Sequence, residues 1–291
     1  MFLREGLDNT RHEMIIDGRA LAQKRRGKIL ASREGLKDLS LGVVMAVGNM
    51  ATESFVRIKT RVAGELGIGV AQYRLTEEAT NDDVLRALSE AGGHDGIILQ
   101  LPLSKSVDVE LLRNAIPENR DVDLLGDAAF QVFESGKSVA IPPVAAAMKY
   151  ICDAHDISYA GKNVVVVGQG RLVGLPASTL FKQLGGEVTI VNKGEDIGTR
   201  TRSADIIILG AGSPHMLTPD MVKEGVVVLD AGTSEAGGKV AGDADPRVAE
   251  KASLFTPVPG GIGPIAVAEI FANLIALRKV RDKSQNPKAS T

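Results

Sequence analysis

Three side chains far apart in this sequence are of the types that move protons and hold a donor-rich ring: Lys59, Gln100 and Asp123. Phe55, Lys59, Val62 and Leu66 fall at helical spacing on one face, so the lysine sits in a stripe that otherwise reads as buried. Desolvation disfavours the ammonium and lowers its pKa, which prepares a lysine for proton transfer near neutrality. A lysine that snorkels to solvent would satisfy the same pattern. Gln100 stands near the end of an apolar run, DGIILQL at 95–101, just before Pro102. Asp121 and Asp123 flank Val122 in a loop, where a carboxylate can face a ring rich in N–H donors.

A second constellation is glycine-rich. Gly168-Gln169-Gly170-Arg171-Leu172-Val173-Gly174 stands between an apolar strand and a helical pattern. Glycines there permit a tight turn, let the backbone approach a pyrophosphate and present helix N-terminal N–H groups to it. An ordinary strand-to-helix turn shares this signature. After the next strand, Val191-Asn192-Lys193 carries no acid until Glu195. Lys193 and Arg171 could meet a 2′-phosphate, which favours NADP while leaving NAD open, and both also read as solvated surface cations.

These residues need elements to position them. Asp17 reads as the N-cap of a helix over Gly18–Leu30. Strands are expected at 41–47, 70–75 and 95–101, with helices from Ala51 to Leu66, stopped by Gly67, and from the Thr80–Asp83 cluster onward. The second half repeats the rhythm: strands at 163–167, 187–191, 205–209 and 226–229, and helices around Ala177–Leu184 and at Pro219–Lys223 after a Thr218 cap. TPVPGGIGP at 256–264 is too rich in proline and glycine for a regular element, Ile265–Val280 reads as a last helix, and 281–291 as a disordered tail. Alternating strands and helices predict an α/β protein with two doubly wound parallel-sheet domains, the second a dinucleotide-binding domain of the Rossmann type.

Composition excludes several classes. With 291 residues, 44% hydrophobic and 24% charged, the chain is long enough for two cores and ordinary for a globular protein. A net charge of −2 with dispersed Lys and Arg gives no footprint for nucleic acid or an anionic membrane. The lone Cys152 cannot form an internal disulfide and reads as a small buried residue, consistent with a reducing compartment. His12, His94, His155 and His215 show no ligand spacing, so no metal site is expected. The N-terminal segment lacks the apolar core of a signal peptide and no apolar run could span a bilayer, so a cytoplasmic location is expected.

Over roughly Asp17 to Val280, these segments resemble the bifunctional methylenetetrahydrofolate dehydrogenase/methenyltetrahydrofolate cyclohydrolase family. VGNMATESFVRIK at 47–59 is similar to the family's VGxxxASxxYVxxK, DGIILQLPL to DGIxVQLPL, and Asp121-Val122-Asp123 to DVDG. GQGRLVGLP at 168–176 resembles GRSxxVGxP, Gly242–Asp245 resembles GDVD, and TPVPGGIGP matches TPVPGGVGP. The resemblance implies two domains, 1–147 completed by the helix from 265 to 291, and 148–264, with a folate cleft between them and a homodimer as the usual assembly. It implies Lys59 as the catalytic lysine, Gln100 tuning and positioning its amine, and Asp123 anchoring the pterin of a tetrahydrofolate derivative. Phe55, Leu101, Pro102, Gly261 and Pro264 would line the substrate cleft. Gly168, Gln169, Gly170, Arg171, Gly174, Lys193 and Thr233 would hold NADP.

The departures are specific. The family's tyrosine is Phe55, and the glycine of DVDG is Leu124, which loses a glycine's backbone freedom. PCTPxG becomes Pro142-Pro143-Val144-Ala145-Ala146-Ala147. Arg-Ser in the cofactor turn becomes Gln169-Gly170, the HSRT-like segment becomes Asn192-Lys193-Gly194-Glu195, and Gly-Ile-Asn becomes Gly232-Thr233-Ser234. Two readings follow: a working dehydrogenase and cyclohydrolase, or a non-catalytic ligand-binding paralogue. A two-domain dehydrogenase for another small acid explains the glycine turn but not TPVPGGIGP.

Overall fold

The computed structural model describes residues 14–47, 50–192, 194–236 and 239–285. A two-residue strand, β1 (Met14–Ile15), precedes helix α1 (Gly18–Ser32), which Asp17 caps by accepting from the N–H groups of Arg19 and Ala20. Then come β2 (Ser40–Ala46), α2 (Met50–Glu65), β3 (Gly69–Leu75), α3 (Asn81–Ala91) and β4 (Gly96–Gln100). Thr80 opens α3 through a capping box with Asp83. The three strands pair in parallel in the order β3-β2-β4. The chain leaves β2 for β3 on one side and then lays β4 on the other, so the connections from β2 and β4 diverge at their carboxyl ends. Ligands bind at such switch points.

Helices α4 (Val109–Asn114), α5 (Asp127–Glu134) and α6 (Pro143–Ala154) lead into the second half. There β5 (Asn163–Val167), α7 (Gly174–Gln183), β6 (Glu187–Val191), α8 (Ile197–Thr201), β7 (Ile206–Leu209) and β8 (Val226–Asp230) repeat the alternation, with the same reversal beside β5. An antiparallel pair, β9 (Ser234–Ala236) and β10 (Lys239–Ala241), precedes β11 (Ala252–Phe255) and the long α9 (Ile262–Gln285). The larger sheet is all-parallel in the order β1-β11-β8-β7-β5-β6. The two halves therefore interlock. β1 adds to the second sheet, while α9 returns to bury Ala268, Phe271 and Leu274 against Val43, Met45 and Ile98 of the first. Phe130, Phe133 and Met148 of α5 and α6 share a core with Val164, Ile206 and Leu229.

Four expectations need adjusting. Helix α9 begins three residues before Ile265, because Pro264 in its first turn lacks only an N–H that would have no helical partner. It also runs past Val280: residues 281–285 are helical rather than a disordered tail. Arg281 is buried there and donates to the backbone oxygen of Asp95 and, at 3.2 Å, to its carboxylate. Residues 286–291 lie outside the described part. Helix α7 starts at Gly174 rather than Ala177, and Pro219–Met221 forms one 3-10 turn rather than a helix to Lys223.

Candidate active site

Helix α2 carries Lys59 across the carboxyl end of β4. The Lys59 ammonium donates to Gln100 Oε1 at 2.8 Å, and the Gln100 amide nitrogen donates to Leu101 O at 2.8 Å. A backbone oxygen can only accept, so the second bond turns the amide nitrogen away and presents Oε1 to the lysine. Burial pushes the Lys59 pKa down, and the nearby Asp123 carboxylate partly opposes it. Asp123 is its counterpart: burial raises its pKa and Lys59 lowers it. The structure thus brings together the lysine, amide and carboxylate expected from the sequence. Phe55, one turn before Lys59, is 52% exposed rather than part of the buried stripe that holds Val62 and Leu66, which leaves its ring free to stack on a ligand. Leu101 is half-buried and Pro102 exposed, both directly after Gln100.

The loop bearing Asp123 is fixed from within. Asp121 is buried, accepts from the Gly126 N–H at 2.8 Å, and leaves Oδ1 without a hydrogen bond. Burial pushes its pKa up to about 7. Leu124 keeps the left-handed conformation that a glycine would adopt, with φ +52°, which corrects the expectation that leucine would forfeit it. That conformation costs about 1–2 kcal/mol, whereas the leucine side chain is buried in the core and gains about 1.5–3 kcal/mol. Burial wins, so the loop shape survives the substitution. Asn273 of α9, absent from the sequence candidates, also holds this loop. Its amide donates to Val122 O at 2.9 Å and to Ile141 O at 2.8 Å.

At the carboxyl end of β5, Gly168 has φ +90°, and a Cβ there would meet Gly210 O at 2.8 Å. A Cβ on Gly174 would lie 1.9 Å from Gly168 O, so the turn closes on its own backbone. Gly170 faces open space, and it and Gln169 are exposed. This is an open cradle of the kind a pyrophosphate occupies. Gly174→Ala is expected to lower the unfolding free energy by about 1–3 kcal/mol in urea melts. Gly170→Ala is expected to change it by less than about 0.5 kcal/mol.

Arg171 has partners other than the expected phosphate. It reaches the first half of the chain, donating to Leu125 O at 3.1 Å and Gly126 O at 2.9 Å and pairing with Asp127 at 3.1 Å. Thr233 is exposed beyond β8, and Lys193 lies outside the described residues.

The TPVPGG segment acts as a brace. Gly18 N donates to Gly260 O, and a Cβ on Gly18 would lie 1.7 Å from Gly261 O, so the start of α1 is packed against it. Gly261 bonds back to Pro257 O at 2.8 Å, and Pro264 sits in the first turn of α9. Thr256 accepts from the Asp230 N–H at 2.7 Å. Two buried carboxylates were also missing from the candidates. Asp230 accepts from the N–H groups of Gly232 and Ala244, and Asp243 from those of Ala211, Gly212 and Ser213. The GDAD stretch carried that signal, since glycines beside acids mark backbone approaching a carboxylate closely. A buried Cys152, its pKa pushed up to about 12 by burial, stays a thiol and takes no part.

Comparison with known proteins identifies the family of the chain. Residues 16–123 match the model of the tetrahydrofolate dehydrogenase/cyclohydrolase catalytic domain, and residues 142–282 that of the NAD(P)-binding domain of the same family. The chain is 32% identical over 289 residues to the bifunctional protein FolD of Aliarcobacter butzleri, covering 94% of this chain and 99% of that protein. Its structure resembles that of the bifunctional FolD enzyme of Campylobacter jejuni, with a TM-score of 0.87, 31% identity, and 92% and 99% of the two chains covered. The Trypanosoma brucei FolD, solved with NADP cofactor and an inhibitor, aligns with a TM-score of 0.85 and 27% identity over 92% of this chain and 98% of that one. The chain belongs to the tetrahydrofolate dehydrogenase/cyclohydrolase family.

Proposed function

We propose that this protein oxidises 5,10-methylenetetrahydrofolate to 5,10-methenyltetrahydrofolate with NADP, in preference to NAD, and hydrolyses the product to 10-formyltetrahydrofolate. The observation that carries this reading is the Lys59–Gln100 hydrogen bond beside Asp123 at the switch point of the first sheet. A ligand-binding paralogue without chemistry has no use for a half-buried, desolvated lysine oriented in this way.

The turn at Gly168–Gly174 fits a dinucleotide pyrophosphate, because Gly170 leaves open space above an exposed backbone. Support for NADP comes from the family's NAD(P)-binding model and from the Trypanosoma brucei relative. Lys193, two residues past β6 in sequence, is the cation we assign to the 2′-phosphate, since Arg171 is engaged elsewhere. Bound nicotinamide supplies the hydride acceptor. Asp123 accepts from the N–H donors of the pterin, Phe55 offers its ring face, and Leu101, Pro102, Gly261 and Pro264 border the cleft. In hydrolysis, neutral Lys59 takes a proton from the attacking water while Gln100 Oε1 holds one of its N–H groups in line. Phe55 has no hydroxyl, so this proton transfer rests on Lys59.

In the same reading, residues 1–147 with α9 form the folate side and 148–264 the cofactor side, with a homodimer as the working assembly and the cytoplasm as its location. No nucleic acid takes part. Among the described residues no helix is long and apolar enough to cross a membrane. The test is spectrophotometric. Purified protein with 5,10-methylenetetrahydrofolate is expected to reduce NADP faster than NAD, followed by decay of the methenyl absorbance. Lack of turnover with either dinucleotide would sink the dehydrogenase assignment, and a methenyl absorbance that decays no faster than the buffer control would sink the hydrolytic one.

A further inference from the structure

Arg171 is the one member of the expected cofactor set that reaches into the first half of the chain among the described residues, and what it grips there is the loop that carries Asp123. Its Nε donates to Leu125 O at 3.1 Å and one terminal nitrogen to Gly126 O at 2.9 Å. The other terminal nitrogen lies 3.1 Å from the Asp127 carboxylate, and the guanidinium carbon stands 4.4 Å from the centre of the Phe130 ring. Arg113 shares this target from within the first half. It donates to Leu125 O at 3.1 Å and pairs with Asp127 at 2.5 Å.

The gripped residues are two and three positions from Asp123. Between them lies Leu124, held in a left-handed conformation that a leucine adopts only when its surroundings impose it. Gly126 is clamped on both sides: its N–H goes to Asp121 and its oxygen to Arg171, and a Cβ there would meet Arg113 O at 2.9 Å. At the other end of the contact, Arg171 follows Gly170 directly and lies inside the glycine turn that closes at Gly174. A rigid planar fork therefore joins the pyrophosphate turn to the backbone of the folate-anchoring loop. Lysine could match the charge but not the two-carbonyl geometry.

We propose that Arg171 is a positioning residue that couples occupancy of the dinucleotide turn to the placement of Asp123, so that each ligand tightens the binding of the other. This rests on the function proposed above. A ligand that fixes the turn fixes the guanidinium, and the guanidinium fixes residues 125 and 126. Linkage requires the effect to be reciprocal. The ion pair is partly open to solvent, with 25% and 39% side-chain exposure for Arg171 and Asp127. The two carbonyl bonds, rather than the charge, therefore carry the coupling.

The test measures NADP affinity by calorimetry with and without saturating 5-formyltetrahydrofolate, and the reverse titration, for the parent, Arg171→Ala and Arg171→Lys. The parent is expected to show mutual tightening of at least about fivefold. In Arg171→Ala this factor falls towards one and the dehydrogenase kcat/KM drops. Arg171→Lys is expected to behave like Arg171→Ala. Parent-like coupling in Arg171→Ala overturns the inference, as does a parent whose ligands ignore each other. Full coupling in Arg171→Lys overturns the role of the carbonyl fork. A parent without turnover or ligand binding overturns the function and this inference together, whereas an active parent with uncoupled ligands removes this inference alone.

Discussion

Lys59→Met is expected to lower the rate of methenyltetrahydrofolate hydrolysis by about 10²–10⁴-fold, the usual range for losing a positioned general base. Methionine preserves the length and much of the volume of the side chain without its charge. Burial pushes the ammonium pKa down, so the charged lysine is held against a solvation penalty that methionine does not carry. Loss of the 2.8 Å bond to Gln100 Oε1 works in the opposite direction, and the melting temperature is expected to stay within a few degrees of the parent. The parent enzyme's pH profile carries the companion signature. The neutral amine is the active form, so the rate should rise with pH and level off below the ordinary lysine value of 10.5. The Asp123 carboxylate raises the lysine pKa. Removing that charge in Asp123→Asn should therefore move the limb to lower pH. Stopped-flow decay of the methenyl absorbance across pH measures both effects. Hydrolysis within tenfold of the parent in Lys59→Met, or a limb at or above 10.5, would refute this role for the lysine.

Much of this site was legible because its elements are local. Lys59 announces itself by interrupting an apolar stripe, Gln100 by closing a strand of buried residues, and the glycine turn by its place between strand and helix. What could not be read was contact between distant segments. Nothing in GQGRLVG distinguishes an arginine that grips a phosphate from one that grips the carbonyls of residues 125 and 126, since both are oxygen acceptors in suitable geometry. Leu124 misled for a related reason. A local rule assigns φ > 0 to glycine, but burial of the leucine side chain outweighs the backbone penalty, and burial is a tertiary quantity. Strand β1 has two residues and no periodicity to read, and exists because β11 offers it an edge. The helical stretch at 281–285 looked like a polar tail until Arg281 found the backbone and carboxylate of Asp95.

Asp243→Ala is expected to be the most destabilising change in the cofactor half, by about 4–5 kcal/mol. The side chain is fully buried, and its two oxygens accept from three consecutive backbone N–H groups: Ala211 at 2.7 Å, Gly212 at 3.1 Å and Ser213 at 2.7 Å. Hydrogen bonds to a charged group contribute about 1.5–3 kcal/mol each, less than additively when they share one acceptor group. Alanine leaves these donors without their acceptor and opens a void beside Gly232, where in the parent a Cβ would lie 2.1 Å from the Asp243 Cγ. Asn keeps a single acceptor oxygen and turns an amide nitrogen towards N–H donors, so Asp243→Asn should lose roughly half as much. Asp245, two residues on, is the control. Its carboxylate caps a short turn by accepting from Arg247 N and pairs with an Arg247 side chain that is 70% exposed. Asp245→Ala should cost only about 1 kcal/mol, the worth of a cap. Urea melts at neutral pH rank the three variants, and an Asp243→Ala loss no greater than that of Asp245→Ala contradicts the argument. The consequence reaches the ligand as well. The segment at 210–211 is what Gly168 packs against, with the Gly168 Cβ position 2.8 Å from Gly210 O. A freed 211–213 loop therefore loosens the wall of the dinucleotide turn, and NADP affinity should fall in Asp243→Ala under conditions where it remains folded, while Asp245→Ala binds as the parent does.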